Sequence, residues 1–563
     1  MDEPLRRVDD FRRTSTDLEI DLIDELAAGQ LSRREFVRRG AVLGLSLPAL
    51  SFLAAACGGD DESAVATGPG ETTGTPQAGG RLRTGISAPA TALDPTKVQD
   101  EGGLSILGQS GEYLAWSDRD LLLQPRLAES WTPNEDGTLW TFALRRGVTF
   151  HDGTPLTAED VAYTMNLHSD PDAGSSALSA FAGVLSTGNA RAVDDATVEF
   201  ALDAPNGNFP YLVSSDNYNV IVLPADFDPA AWEESFMGTG PWKLESFTPD
   251  VGVTYVPNPD YWDTSRRPVS ETSELRFYAE EQARVLALQG GEIDVISNFS
   301  VSGGQALLSD PNVSVIEVRA SQHRQIHMRT DREPFSDARL RRAIALLVDR
   351  RALVDGLWEG KADVGNDSPF APVFPSTDPD VPQRELNVEE ARALLAAAGK
   401  ESLQVELRTW DGFEIPQLAQ LVKDSLRAGG VEVELNITDA ASYYGDGVPG
   451  SSPWLDSDFG ITDYGHRGVP NVLLTAPLTS EGTWNSAHFA NADYDRAVAD
   501  YVAALDLDAQ RAAARRIQEL LLEETPVVFP YFYFHLGATS AAVTGVEPTG
   551  MGHVDLSGAG FTG

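Results

Sequence analysis

The residues best suited to chemistry in this sequence are an adjacent histidine and aspartate, His151 and Asp152. Imidazole and carboxylate groups bind metals and transfer protons, so the pair invites a catalytic or metal-binding interpretation. The surrounding run, residues 150–155, reads Phe-His-Asp-Gly-Thr-Pro and precedes Thr157, a residue type that begins helices. Polar side chains in such a turn commonly bind backbone groups, and we expect that structural role here.

Known catalytic motifs are missing from the sequence. It contains no Gly-x-Ser-x-Gly elbow, no His-Glu-x-x-His, no phosphate-binding loop and no Cys-x-x-Cys. Gly238 and Gly240 are followed by Pro241 without a third glycine, which argues against a dinucleotide site. We therefore predict a protein that is not an enzyme and that has no cofactor and no metal. A secreted hydrolase is the less favoured alternative, because chance pairs of carboxylates are expected in so acidic a chain.

The overall charge limits the partners of the protein. The 563 residues include 42 Lys and Arg against 85 Asp and Glu, a net charge of −43, which repels nucleic acid. The length exceeds what one hydrophobic core usually serves, so two or more domains are expected.

The N-terminal residues carry an export pattern. Arginines at 33, 34, 38 and 39 precede an apolar run at residues 41–56, which is shorter than the roughly 20 residues that span a bilayer. Residues 32–38 resemble a twin-arginine export signal with Arg33 and Arg34, and residues 53–57 resemble a bacterial lipobox ending in Cys57, the only cysteine. We predict a lipoprotein signal peptide at residues 1–56 and a lipidated Cys57. A flexible tether follows at residues 57–78.

Strand and helix patterns alternate in the rest of the chain. Trp140, Phe142 and Leu144 have the period of two expected of a half-buried strand. Helices are predicted behind Asp337, behind Asn387 and over residues 493–524. The mixture predicts an α/β protein with large sheets.

Several motifs occur in the order in which a known family has them. These are Leu93-Asp94-Pro95, Leu127–Trp131, Asp136–Thr138, Phe150–Val161, Gly238–Pro241, Asn258 with Tyr261-Trp262, Gly291–Val295 and Phe335–Arg350. Together they resemble extracellular solute-binding protein family 5, the oligopeptide, dipeptide and nickel group of periplasmic binding proteins. The resemblance extends from about Arg81 to Tyr533.

The resemblance implies a fold. It is the two-lobed α/β clamp of the type II periplasmic binding proteins, whose chain crosses twice between lobes. We place the crossings near Gln325 and Pro526, with lobe one at residues 79–325 plus 526–563 and lobe two at residues 326–525. A pair of crossing strands would act as a hinge.

The resemblance also implies a ligand site. In peptide-binding members a carboxylate holds the ammonium group of the ligand, and the matching position is Asp463 in the run Asp458–Tyr464. An ammonium taken into a closed cleft needs such a carboxylate to replace its lost hydration. The alternative is that Asp463 is a solvated loop acid. The remaining candidate ligand contacts are Tyr464, Trp484, Asn485, Trp410 and Gln99.

These predictions together describe a substrate-binding lipoprotein of an ABC importer. It would be a monomer, anchored by lipid outside the membrane, that captures a small molecule by hinge closure and works with permease and ATPase subunits. A peptide is the favoured ligand, and a sugar, an opine or a metal chelate is the alternative in the same fold. Nickel is disfavoured, since His323 and His327 are four apart in an extended stretch rather than on a helix.

Overall fold

The computed structural model describes residues 75–562. The predicted signal peptide with Arg33 and Arg34, the lipidated Cys57 and most of the tether lie outside these described residues. In the range described, none of the helices combines the length and the apolar character that a membrane span requires.

The first large sheet has seven strands in the described part of the chain. In spatial order they are Val313–Val318, His535–Ser540, Val295–Ile296, Arg81–Ser87, Thr272–Tyr278, Gly252–Pro257 and Trp242–Thr248. The strand Arg81–Ser87 runs parallel to both of its neighbours, whereas the outer pairs are antiparallel. The sheet is therefore mixed, with parallel and antiparallel strand pairs.

The second large sheet also has seven strands among residues 75–562. Six follow one path: Ala362–Val364, Tyr531–Tyr533, His323–Met328, Phe459–Tyr464, Leu403–Trp410 and Val431–Thr438. The seventh, Val527–Val528, pairs with His323–Met328 beside this path.

A separate antiparallel sheet carries the alternating strand. Its strands are Ala128–Pro133, Leu139–Leu144, Thr197–Ala201 and Ala190–Asp194. Trp140, Phe142 and Leu144 are all buried, which confirms the period of two. Phe142 packs edge-on against Phe200 across the strand pair, with ring centres 5.3 Å apart.

The remaining strands are short. They are Pro76–Gln77, Gly560–Thr562 and Val543–Thr544 in one group, then the pairs Ala115–Ser117 with Leu123–Pro125 and Glu547–Pro548 with Val554–Asp555. Because Pro76 and Gln77 pair with the C-terminal strand, they belong to the folded part of the chain rather than to the tether.

Helices fill the connections between strands. The α-helices are Glu101–Ser110, Ala158–Ser169, Leu178–Phe181, Phe209–Leu212, Glu281–Gln289, Gln305–Leu308, Ala338–Leu347, Arg350–Trp358, Val388–Ala397, Ile415–Arg427, Ala440–Tyr444, Pro453–Asp456, Asn471–Thr475, Ala492–Ala503 and Leu507–Glu524. Short 3-10 helices lie at Pro171–Ala173, Pro229–Glu234 and Thr264–Arg266.

Two of the three predicted helices are confirmed and one is wrong. The side chains of Asp337 and Asn387 accept backbone hydrogen bonds at the starts of their helices, as their positions predicted. The single helix predicted at 493–524 is two helices. Ala504 is extended, and the side chain of Asp506 accepts from the N–H of Ala509 at 2.8 Å to begin the second helix.

The chain passes between the large sheets at two adjacent places. One passage lies between Val318 and His323, and the other lies between Tyr533 and His535. They run side by side, since the N–H of Tyr533 donates to the carbonyl of Gln322 at 3.1 Å. The predicted crossings are a few residues away, and the domain boundaries stay a prediction.

Apolar side chains form three large buried cores within the described residues. The first core surrounds Trp242 and Tyr255 beside the first sheet. The second core joins Ile296 of the first sheet to Ile326 of the second, so apolar packing continues past the chain passages. The third core lies around Tyr494 of the last helix pair.

Candidate ligand-binding site

The candidate site lies at the end of a central strand of the second sheet. The strand Phe459–Tyr464 lies between His323–Met328 and Leu403–Trp410. In the antiparallel register Asp463 is directly opposite Arg324. Because directly opposed residues point to the same face of a sheet, the carboxylate and the guanidinium are on one side.

The Asp463 carboxylate is half-buried and has one side-chain donor among the described residues. The hydroxyl of Tyr444 donates to its Oδ1 atom. Burial, together with the charge of Asp463, raises the pKa of Tyr444, so the hydroxyl keeps its proton. The carboxylate is therefore oriented but not neutralised by Tyr444, and Oδ2 is left for a second donor.

Arg324 is matched by a different acid, Glu414. Its side chain is 2% exposed, its Nη2 donates to Glu414 Oε2 at 2.9 Å, and its Nε lies 2.9 Å from Oε1. Nη1 donates to the Tyr533 hydroxyl, and the Tyr531 hydroxyl donates to Glu414, both at 2.8 Å. Burial opposes the charge, but the tyrosines and the carboxylates of Glu414 and Asp463 raise the pKa of Arg324 overall. The charge of the Arg324 guanidinium is thus balanced within the protein by Glu414.

The three charged groups are two carboxylates and one guanidinium, so one carboxylate is in excess. Arg324 and Glu414 balance each other, and Asp463 is the excess acid. A charge that is partly withdrawn from water is stabilised by an opposite charge with hydrogen bonds. The arrangement is therefore suited to a ligand group that is cationic and rich in donors, such as a primary ammonium.

Aromatic rings surround this charged group. Tyr444 lies next to Trp410, Tyr443 and Trp454, with ring centres 5.8, 5.2 and 5.9 Å apart. Such rings offer apolar faces with few rotatable bonds, which suits contact with varied side chains.

Phe413 is an unusual member of this wall. Its side chain is 72% exposed although it is apolar, and its backbone has a left-handed φ of 53°. The ring meets Trp410 edge-on at 5.5 Å, and the Arg324 guanidinium lies 5.3 Å from its centre. The fold therefore holds an exposed aromatic ring beside the charged group at a cost in backbone strain.

Two buried polar side chains on the opposite face of the sheet have atoms without hydrogen-bond partners among the described residues. Gln325 is directly opposite Thr462 in the strand register. Neither amide atom of Gln325 nor the Thr462 hydroxyl has a hydrogen-bond partner among the described residues. An unsatisfied buried group costs about 1 to 3 kcal/mol. These groups therefore point away from Asp463 and do not belong to its charged group.

The structure brings some of the predicted site residues together. Trp410 contacts Tyr444, which binds Asp463, and Tyr464 lies 6.2 Å from Trp484 between ring centres. Their roles in ligand binding stay predictions.

The other two candidates have different surroundings. The side-chain amide of Asn485 donates to Thr479 and Phe489 and accepts from Phe489, so its groups are used within its own loop. Gln99 is exposed and donates to the Ser176 hydroxyl at 2.7 Å. This contact joins Gln99 to the segment that contains Ser176 rather than to Asp463.

Reasoning from the sequence missed Arg324, Glu414 and Phe413. The available signal was an arginine in a run whose alternate residues are also polar, His323 to His327, within a strand that is buried throughout. A buried arginine in such a strand needs a carboxylate partner, but this partner lies in another part of the chain. The sequence could therefore have nominated Arg324 but not Glu414.

The adjacent pair His151 and Asp152 has the structural role that was expected. His151 Nε2 donates to the carbonyl of Gly240 at 3.0 Å, and burial lowers the pKa of the imidazole to about 4. Asp152 Oδ1 accepts from the N–H and the hydroxyl of Thr154 at 2.9 and 2.7 Å. The Asp152 side chain therefore closes the turn, and the His151 side chain joins the turn to Gly240. Across residues 75–562 no three potential ligand side chains are grouped to hold a metal ion.

Two mixed sheets joined by two adjacent chain passages, with a charged, aromatic-lined site beside them, define the class of two-domain solute-binding proteins. The model of one family, described as bacterial extracellular solute-binding proteins, family 5 middle, matches residues 123–468. The chain belongs to this family.

Individual relatives agree with this assignment. The chain is 25% identical over 499 residues to the dipeptide-binding protein DppE of Bacillus subtilis, covering 83% of this chain and 89% of DppE. It is 26% identical over 484 residues to the periplasmic oligopeptide-binding protein OppA of Escherichia coli, covering 79% of this chain and 85% of OppA.

A solved structure agrees on the fold. HbpA2 from Haemophilus parasuis superimposes with a TM-score of 0.76 at 22% identity, over 86% of this chain and all of that chain. The expected two-lobed periplasmic-binding fold is thereby confirmed.

Proposed function

We propose that this protein is the substrate-binding component of an ABC importer and that it captures a peptide by its ammonium group at Asp463. The observation that carries the proposal is the excess carboxylate. Arg324 is already matched by Glu414, and within residues 75–562 the side-chain donor to Asp463 is the neutral Tyr444 hydroxyl.

The neighbouring groups support a peptide rather than a simple amine. The aromatic wall around Tyr444 would accept side chains of different shape. The curated relatives DppE and OppA are named for dipeptide and oligopeptide binding, which supports the same ligand class.

The protein would release its ligand unchanged. The site offers a carboxylate that the Tyr444 hydroxyl orients for binding. Transfer to permease and ATPase subunits would follow hinge motion at the two chain passages. We propose that the binding protein itself is a monomer.

Calorimetric titration with alanine peptides tests the ligand class. The free peptide should bind more tightly than its N-acetyl form, and Asp463→Asn should reduce the affinity by about 1.5 to 3 kcal/mol, the range for a hydrogen bond to a charged group. Asp458→Asn is the matched control, since Asp458 is a half-exposed acid on the same segment. Equal binding of free and acetylated peptides would overturn the proposal.

The same titration distinguishes the other ligands in this fold. A sugar, an opine or a nickel chelate that binds while every peptide fails would replace the peptide assignment and keep the fold. Recovery of cleaved peptide after incubation would instead favour the hydrolase.

Export and anchoring are a second part of the proposal. Arg33 and Arg34 would direct export, and acyl chains on Cys57 would hold the protein outside the membrane. Replacing both arginines with lysine should leave precursor in the cytoplasm. Normal secretion of that variant would contradict a twin-arginine route.

A further inference from the structure

A short hairpin of the first lobe places a leucine in a core of the second lobe. The hairpin consists of the paired strands Ala115–Ser117 and Leu123–Pro125. In the turn between them, the Leu121 side chain is 3% exposed and lies in the third core, whose other buried members lie in residues 370–532, mainly in the predicted second lobe. The next residue, Leu122, is 41% exposed. Leu121 therefore joins the hairpin to the second lobe.

The turn of the hairpin is held in shape by groups of the first lobe. The Asp118 carboxylate accepts from the N–H groups of Asp120 and Leu122 at 2.9 and 3.0 Å. The Tyr211 hydroxyl donates to the carbonyl of Leu121 at 2.7 Å. Leu121 has a left-handed φ of 57°, which is costly for a residue with a branched side chain. The turn is therefore fixed in a conformation that presents Leu121 to the second lobe.

Asp216 lies between the base of this hairpin and a loop of the second lobe. The hydroxyl of the preceding residue, Ser215, accepts from the N–H of Ser117 at 2.9 Å, which binds this segment to the hairpin. On the other side, a Cβ atom on Gly468 would overlap the Asp216 carboxylate, so the carboxylate packs directly on the Gly468 backbone. Its Oδ2 atom is buried and has no hydrogen-bond partner within the described residues. Closure of the two lobes would therefore enclose this carboxyl.

The first-lobe groups around Asp216 do not compensate for its burial. Burial raises the pKa of Asp216 to about 7, the Ser117 hydroxyl opposes this rise, and the charge of Asp118 adds to it. Burial also raises the pKa of Tyr211 and lowers the pKa of His553 to about 4, so both side chains are neutral near neutral pH. These neighbours therefore carry no positive charge that would keep Asp216 ionised.

The second-lobe loop at residues 465–468 does not neutralise Asp216 either. Burial lowers the pKa of His466 to about 3, so its imidazole is neutral. The Arg467 Nη1 atom donates to the carbonyl of His466 at 2.7 Å, and the titratable group that interacts with the Arg467 charge is Tyr218. A carboxylate that is enclosed without a counter-charge is costly, so the closed arrangement favours the protonated form of Asp216.

We infer that the hairpin and Asp216 form a latch for the closed lobes, and that the latch takes up one proton when it closes on a ligand. This inference rests on the proposed capture of a peptide by hinge closure. In the open protein Asp216 would be solvated and ionised, whereas contact with Gly468 in the closed protein favours the protonated carboxyl. Peptide affinity should therefore rise as the pH falls from about 8 to about 6, because protonation removes the cost of enclosing a charge.

Calorimetric titration of trialanine into the wild type and Asp216→Asn at several pH values tests the proton. Asparagine resembles the protonated carboxyl, so Asp216→Asn should bind more tightly than the wild type at about pH 8. The ratio of wild-type to variant affinity should rise about tenfold between about pH 8 and about pH 6. The peptide ammonium titrates alike with both proteins and cancels in this ratio. Buffers with different ionisation enthalpies should show uptake of about one proton at about pH 6 by the wild type but not by the variant.

Glu112→Gln is the matched control for the proton. Burial raises the pKa of Glu112 as well, but its hydrogen bonds come from Thr239, Tyr261 and Trp262 of the same lobe. Because closure of the lobes would not change these contacts, the folded Glu112→Gln variant should keep the wild-type pH dependence.

Leu121→Ala tests the hairpin itself. Loss of the buried leucine should weaken trialanine binding about tenfold or more, since the closed lobes lose this apolar contact. Leu121 is not proposed to touch the peptide, so the loss should be the same for free and N-acetylated trialanine. Leu122→Ala is the matched control, because Leu122 is the exposed neighbour in the same turn, and it should keep wild-type affinity.

Either of two results overturns the latch. One is an affinity ratio of wild type to Asp216→Asn that stays constant between about pH 8 and about pH 6. The other is wild-type affinity in Leu121→Ala. If either result occurs while N-acetylation and Asp463→Asn still weaken binding, the proposed function stands and the latch alone falls. A protein that binds trialanine in neither form at any of these pH values overturns both.

Discussion

At the scale of single residues, the pairing of Arg324 with Glu414 decides what Asp463 can do. The strand register puts Arg324 opposite Asp463, yet the guanidinium donates to Glu414 and to the Tyr533 hydroxyl. Because charges in a low-dielectric site interact strongly, a change at Glu414 should alter the affinity for the ligand.

We predict that Glu414→Gln weakens peptide binding by about 1.5 to 3 kcal/mol although Glu414 is not proposed to touch the peptide. Without Glu414, Arg324 would turn its charge to Asp463 and the excess carboxylate would be cancelled. Calorimetric titration measures the change, and thermal unfolding shows whether the variant is folded. Wild-type affinity in a folded variant would show that Arg324 does not control Asp463.

The sequence predicted one part of this residue-scale arrangement. Asp463 was found because a family motif matched it, whereas Glu414 lies far from Arg324 in the chain and has no motif of its own. Phe413 was missed for a different reason. Its exposure and its left-handed backbone are properties of the folded loop, and the residue type alone does not predict them.

At the scale of elements, sequence patterns correctly predicted the features that depend on residues close together in the chain. The alternating strand at Leu139–Leu144 and the two helix caps depend on neighbouring residues, and all three were predicted. The break between the last two helices was missed. Asp506 and its bond to Ala509 are the signal that could have placed it.

This break also forms a contact with the first lobe, which gives a prediction for Gly207. Its N–H donates to the carbonyl of Val502 at 2.8 Å, and a Cβ atom on Gly207 would lie only 1.9 Å from the carbonyl oxygen of Ala504. Backbone cannot move aside as a side chain can, so Gly207→Ala should separate the two segments. We expect several-fold weaker peptide binding, measured by calorimetry.

The matched control for Gly207 is Gly356→Ala. Gly356 lies in the helix Arg350–Trp358 with no atom near enough to meet a Cβ atom, and alanine is the better helix former. It should therefore keep wild-type affinity and stability. If Gly207→Ala also keeps wild-type affinity and stability, the contact between Gly207 and Ala504 does not determine how the predicted lobes are positioned.

At the scale of the whole molecule, the sequence alone could not have given the topology. The strands Arg81–Ser87 and Thr272–Tyr278 are neighbours in the first sheet, and the strand Val313–Val318 pairs with His535–Ser540 across almost the whole second lobe. Periodicity detects a strand but not its partner. The two-lobed plan came from the family resemblance.

Buried histidines predict how the whole molecule responds to acid. Burial lowers the pKa of His168, His323, His327, His466, His535 and His553 from 6.5 to about 3 or 4. Below about pH 6.5 these histidines therefore bind protons in the unfolded chain but not in the folded protein. The free energy of unfolding should therefore fall as the pH falls from about 6.5 to about 4.

Four carboxyls act in the opposite direction. Burial raises the pKa of Glu101 and Asp216 to about 7 and also raises the pKa of Glu112 and Asp363, so protonation of these groups favours the folded state as the pH falls. The six histidines outnumber them. Urea unfolding in high salt, which screens the net charge of −43, measures the balance. An unfolding free energy that is constant or higher at pH 4 would contradict the assignment of these histidines as neutral.

The most direct test of the account is small-angle X-ray scattering with and without a saturating alanine peptide. Two rigid lobes on a two-strand hinge should give a smaller radius of gyration when the peptide is bound, and the same change should be absent in Asp463→Asn at the same peptide concentration. A radius of gyration that stays the same with every peptide shown to bind would contradict capture by closure of the two lobes.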